Sequence, residues 1–125
     1  MKHIMKQFLL VFIGGGLGSA FRFFISQIPF FNYAKFPVPT LLSNAIGCFI
    51  LGIVLGYAIK NDHLNSPQTI LLAAGFCGGL TTFSTFAYEN ITLLKNGDIS
   101  QLLIYTFLSL FLGFIAIIIG LQLSK

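Results

Sequence analysis

The sequence predicts an all-α integral membrane protein with four transmembrane helices, the third broken near the bilayer midplane. Three observations carry this reading. Hydrophobic residues make up 56% of the 125-residue chain and charged residues only 8%, with a mean hydropathy of +0.92. Four apolar stretches, Phe8–Ile28, Val38–Ile59, Gln68–Leu94 and Gln101–Leu123, each suffice for the ~20 residues that cross about 30 Å of hydrocarbon. Within the third, residues Gly75 to Phe86 pack three glycines and four hydroxyls into twelve positions. A soluble domain carries about 25% charged residues. Seven Lys/Arg and three Asp/Glu cannot clothe a water-facing surface of this size. That excludes a soluble globular domain, and the apolar content excludes a disordered chain. An ordinary enzyme with a polar cleft fits poorly.

The first span follows Lys2 and Lys6 and contains Gly14, Gly15, Gly16 and Gly18. Its Gly18-Ser19-Ala20 resembles a signal-peptide cleavage site. The apolar run nevertheless continues through Phe21-Arg22-Phe23-Phe24-Ile25, which favours a retained span. Gly14 and Gly18 form a GxxxG, a close-packing face between membrane helices. Arg22 admits two readings: a cation snorkelling to the interface, or one facing an aqueous vestibule where it attracts anions.

The second span carries Thr40, Ser43 and Asn44 near its start and a second GxxxG at Gly52 and Gly56. An asparagine at membrane depth is either a hydrogen-bonding tie between helices or a ligand donor. In the third span, glycine and β-branched threonine are poor helix formers. Counted from Gln68 at 1.5 Å per residue, Gly79 falls about 18 Å along, near the midplane. A break there must be hidden in protein or line a polar cavity, and broken helices at this depth are a recurring way to build ion sites. Phe83 and Phe86 share a face if the second half is helical. They are either packing aromatics or rings that turn positive edges to an anion. Glu89 reads as an interfacial group or polar tether more readily than as a proton carrier. The fourth span places Tyr105 and Ser109 one turn apart, with Thr106 and Gly113 nearby.

The connections are short and hold the breakers: Pro29 to Pro37, Lys60-Asn61-Asp62 to Pro67, and Lys95-Asn96-Gly97-Asp98. Spans and connections together read as a single four-helix transmembrane domain over residues 1–125. Cys48 and Cys77 lie in apolar runs and read as buried hydrophobes. The cations are scattered, so no nucleic-acid or polybasic lipid site is expected. Lys2, Lys6, Lys60 and Lys125 fall on one side of the membrane, and Lys35 and Lys95 on the other. So small a bias permits either a termini-in orientation or insertion both ways round. His3 and His63 lie outside the spans, and Glu89 is the one acid within them. No nucleophile-and-base set can be assembled, so the chain is not expected to be an enzyme. A small four-helix drug exporter is the nearest rival in outline, but such exporters use a glutamate in the first span. A non-transporting scaffold would leave the midplane hydroxyls without a purpose.

Three segments, Gly14-Gly15-Gly16-Leu17-Gly18-Ser19-Ala20-Phe21-Arg22-Phe23, Thr40-Leu41-Leu42-Ser43-Asn44-Ala45-Ile46-Gly47-Cys48-Phe49 and Gly75–Phe86, resemble the signature motifs of the CrcB/Fluc fluoride channel family. The resemblance spans the chain in length, span number and motif order, and the third motif is the most specific. Ser19 stands where alanine is usual, Phe23 where tyrosine is common, and Pro39 where glycine often precedes Thr-Leu. The resemblance implies an antiparallel dual-topology dimer in the plasma membrane, made with a second copy of this chain or a paralogous one. It implies two pores for passive, selective fluoride export that relieves fluoride toxicity. Asn44 would donate toward a pore, Phe83 and Phe86 would meet the ion edge-on, and Ser84 and Thr85 would offer hydroxyls. Tyr105 and Ser109 would continue a polar track, and Arg22 would draw anions into a vestibule. The backbone carbonyls of Gly78 and Thr81 would hold a structural sodium ion. Fluoride, as against another small anion, follows from the resemblance alone.

Overall fold

The chain is seen in a computed structural model that describes residues 1–33 and 35–125, the Tyr33 side chain apart. Ala34, in the expected 29–37 connection, lies outside the described residues. Among the described residues, four helical spans, all long and apolar enough to cross a membrane, account for most of the chain. Helix α1 covers Lys2–Ser26 and α2 covers Val38–Lys60, with a short 3-10 turn at Pro29–Tyr33 between them. The third span runs over Pro67–Lys95 and is interrupted. Its first half, α3, covers residues 67–80, with π-helical winding over Ile70–Cys77; its second half, α4, covers Ser84–Lys95. Helix α5 covers Ile99–Leu123. At 25 residues each, α1 and α5 rise about 37 Å, enough to clear the hydrocarbon.

Local signals set the ends. Helix α2 opens on Pro37, Val38 and Pro39, where proline costs no hydrogen bond because first-turn amides have no helical partner. It closes with Asp62 in the left-handed region at φ 56° and His63 N donating to Ala58 O at 2.8 Å. Helix α3 starts at a Ser66-Pro67 pair, with the Ser66 hydroxyl accepting from Thr69 N at 3.2 Å. Helix α4 ends on Gly97 at φ 76°, with Asp98 N donating to Leu93 O at 2.9 Å.

Two helix pairs form the bundle: α2 along α5, and α1 along α3. Both GxxxG motifs act within the chain. A Cβ on Gly14 would strike the carbonyl oxygen of Leu71, and one on Gly18 that of Phe76. From the other side, a Cβ on Gly75 would lie 3.0 Å from Gly14 Cα. In the second pair, a Cβ on Gly52 would sit 2.5 Å from Ile117 O, and one on Gly120 2.5 Å from Phe49 O. These glycines let backbones touch where no hydrophobic force separates protein from lipid.

The glycine-rich stretch departs from expectation in one respect. Gly75, Gly78 and Gly79 remain helical, and the interruption falls after them, at residues 81–83. The physical reason is their packing. Gly75 and Gly79 are pressed against α1, where a Cβ on Gly79 would lie 3.0 Å from Ser19 N. Gly75 and Gly79 serve the α1 contact, and the threonines carry the break.

Candidate functional site

Backbone groups released at membrane depth need partners inside the protein, and the break is held by three of them. Thr81 leaves the helix with ψ 155°. The next amide, Thr82 N, donates to Asn44 Oδ1 at 2.7 Å, and Asn44 Nδ2 donates back to Thr82 O at 3.1 Å. One carboxamide thus replaces both the donor and the acceptor that a continuous helix would supply. From the opposite side, Arg22 Nε donates to Gly79 O at 3.0 Å. The Thr82 hydroxyl then accepts from Thr85 N at 3.2 Å and restarts the helix. Asn44 keeps one amide N–H uncommitted, since a carboxamide carries two.

Three cavities adjoin these groups. A groove of about 520 Å³ is lined by Asn44, Cys48, Gly78, Thr81, Thr82, Phe83, Phe86, Ser109 and the apolar flank of α5. Across Thr82 lies a second cavity of about 400 Å³, lined by Ser19, Arg22, Ser26, Thr40, Ser43, Thr82 and Thr85. A third, of about 580 Å³, shares Ser26, Pro39, Thr40 and Thr85 with the second and reaches Lys35, Glu89, Asn96 and Asp98 among the connecting segments. Shared walls therefore run in sequence from one end of the bundle to the break and on into the groove.

In the groove the Phe83 ring is 79% exposed, although it stands inside an apolar span. Its centroid lies 5.9 Å from that of Phe86, with the planes tilted by 42°. Phe86 in turn lies 5.1 Å from Tyr105 at 55°. The hydrogen-bearing edge of such a ring is the positive part of its quadrupole. Ser109 Oγ is enclosed and has no hydrogen-bond partner among the described residues.

The expected site residues are thus brought together in part. Asn44, Gly78, Thr81, Phe83, Phe86 and Ser109 share the groove. Arg22 and Thr85 face the neighbouring cavity instead. Arg22 lines that cavity with its guanidinium tied to the break through Gly79 O. Ser84 is exposed, its hydroxyl 3.3 Å from that of Thr82. Tyr105 is fully buried and donates its hydroxyl to Glu89 Oε1 at 3.0 Å, with Phe36 edge-on at 5.3 Å. Its hydroxyl is therefore committed, and only Ser109 of that pair offers an unused group. Sequence reasoning did not single out Thr82, the hinge of the whole arrangement, nor the tie between Glu89 and Tyr105. Thr82 was in view within the hydroxyl cluster, but its partner is 38 positions away.

Tyr105→Phe removes the donor to Glu89 and leaves that oxygen without it. The expected loss is about 1–3 kcal/mol of stability, seen as a lower thermal midpoint in detergent. An unchanged midpoint would refute the tie.

The chain matches the family described as "CrcB-like protein, Camphor Resistance (CrcB)" over residues 9–121. It is 46% identical over 123 residues to a protein of Gloeothece citriformis named fluoride-specific ion channel FluC, covering 97% of this chain and 98% of the relative. A protein of the same name from Azobacteroides pseudotrichonymphae is 38% identical over 123 residues, covering 98% of each. Another, from Pyrococcus abyssi, is 44% identical over 120 residues, covering 89% of this chain and 95% of the relative.

Proposed function

The chain belongs to the CrcB family, and on that premise we propose that it is a passive, fluoride-selective channel that exports fluoride from the cytoplasm and reduces its toxicity. It is a multi-pass membrane protein and not an enzyme. The observation that carries the reading is the groove at the break. It holds neutral donors: the spare Asn44 N–H, the Ser109 hydroxyl, which has no partner among the described residues, and the edges of Phe83 and Phe86. Among the described residues, no lysine, arginine or acid lines it. Neutral donors stabilise a small anion without a fixed cation that would hold it there. Binding must be strong enough to admit an ion and weak enough to release it. Arg22, in the adjoining cavity, raises the local anion concentration before that point.

The groove opens on the outer face of the chain, and polar backbone cannot face lipid. A second copy covering it turns the groove into a pore. The slight lysine bias between the two sides permits an antiparallel partner. Two-fold symmetry then gives two pores, one from each copy's groove.

A structural sodium ion fits the same break. Thr82 N is diverted to Asn44, so the Gly78 carbonyl loses its helical donor. Gly78 and Thr81 both line the groove. Neutral carbonyl oxygens suit a hard cation, and the same pair from a second copy would double the donor set. Such an ion would supply a fixed positive charge, held by the carbonyls of Gly78 and Thr81.

The test uses the purified chain in potassium-loaded liposomes, with fluoride or chloride inside and valinomycin added to start release. Fluoride release without chloride release is expected. Phe83→Ile removes a ring edge from the groove and should slow fluoride release at least about tenfold, the cost of one charge-assisted contact. Release of neither ion, or of both alike, would refute the reading.

A further inference from the structure

Hydroxyls on apolar helices ordinarily turn back to a carbonyl about one turn earlier. Ser26 does so to Phe23, Thr81 to Cys77, Thr92 to Tyr88 and Ser124 to Gly120. Ser43 and Ser109 do not, and both oxygens are enclosed without a partner among the described residues. Ser109 lies in the groove already described. Ser43 is 1% exposed and lines the other cavity, with Arg22, Ser19, Thr82 and Thr85. A buried hydroxyl left unpaired in a membrane protein is costly unless something in the cavity accepts from it.

The walls say what that acceptor is. Arg22 has spent Nε on Gly79 and retains the N–H groups of its two terminal nitrogens. The Thr82 oxygen already accepts from Thr85 N. Among the described residues, no carboxylate lines this cavity; Glu89 lies in the one beyond it. Donors are in excess, and one of them is cationic. The cavity, at about 400 Å³, is large enough for an ion together with several waters at ~30 Å³ each. A strongly hydrated anion can rest there without full dehydration.

We propose that Ser43 is an anion-binding residue, whose hydroxyl donates to a fluoride ion held in the Arg22 cavity before the ion passes Thr82 into the Phe83–Phe86 groove. This rests on the reading of the chain as a fluoride channel. It adds Ser43 as a donor to the Arg22 cavity, upstream of the rings. Loss of a hydrogen bond to an ion should weaken loading of the site, so the defect should be greatest at low fluoride and shrink as fluoride is raised.

The experiment compares wild type, Ser43→Ala and Ser43→Thr in the fluoride-release assay over a range of internal fluoride, with gel-filtration elution as the check on assembly. Ser43→Ala should release fluoride about tenfold more slowly at low concentration and approach wild type at high concentration. Ser43→Thr, which keeps the hydroxyl, should stay close to wild type. Wild-type rates in Ser43→Ala would overturn the proposal. So would equal slowing in Ser43→Ala and Ser43→Thr, which would make the effect one of packing. A wild-type chain that releases no fluoride would overturn the channel reading, and this inference with it.

Discussion

Asn44→Asp is expected to cut fluoride release by about 100-fold or more while leaving the chain folded. The Asn44 carboxamide does two things at once: Oδ1 accepts from Thr82 N and Nδ2 donates to Thr82 O. An aspartate keeps the first bond. It replaces the second with an oxygen facing a carbonyl oxygen, and it removes the spare N–H that faces the groove. Losing a buried hydrogen bond costs about 1–3 kcal/mol. The new charge adds a barrier: two like charges 4 Å apart at an effective dielectric of 20 repel by about 4 kcal/mol. Either contribution slows passage, and their sum exceeds the ~2.7 kcal/mol that a 100-fold change requires. Liposome flux with gel-filtration elution separates the outcomes. Release within about threefold of wild type, from normally assembled protein, would mean that the ion does not pass Asn44.

How far the sequence led can be judged residue by residue. Helix α2 was legible to within one position because hydropathy and the Pro37–Pro39 start both mark it. Both GxxxG pairs were legible as close-packing faces, since only glycine permits backbone contact. Their use was not: both are consumed within the chain, by α3 and α5. The break was legible as a region, because glycines and threonines cluster there. Its position was not, because helix propensity says the same of Gly79 and Thr81, whereas the α1 contact stabilises the glycines as helix. Polar residues at membrane depth announce their cost from sequence alone. Which neighbour satisfies them is a tertiary fact. The two clamps on the break join residues 57 and 38 positions apart, beyond any local pattern. For the same reason Ser43 and Thr40 read alike in sequence and line the same cavity, and only the folded chain shows that the Ser43 hydroxyl lacks a partner among the described residues.

Gly18→Val is expected to lower both stability and conduction, and Gly16→Ala to leave both intact. A Cβ at position 18 would meet the Phe76 carbonyl oxygen and lie 2.8 Å from Leu80 N. Both are backbone atoms of α3 and cannot swing aside as a side chain would. Helix α1 must move outward, and overpacking of this kind costs about 1–3 kcal/mol, with valine's further methyl groups adding to it. The displacement also reaches the site. Gly18 and Arg22 are one turn apart on the same face, so moving α1 withdraws Arg22 Nε from Gly79 O, now at 3.0 Å. Position 16 provides the control, because a Cβ there meets nothing within 4 Å. Alanine there also gains up to about 1 kcal/mol of helix propensity over glycine. Thermal midpoints and fluoride release should therefore fall together in Gly18→Val and hold in Gly16→Ala. A Gly18→Val protein that melts lower yet conducts normally would separate the α1–α3 contact from the break. It would show that Asn44 alone suffices to hold Thr82 in place.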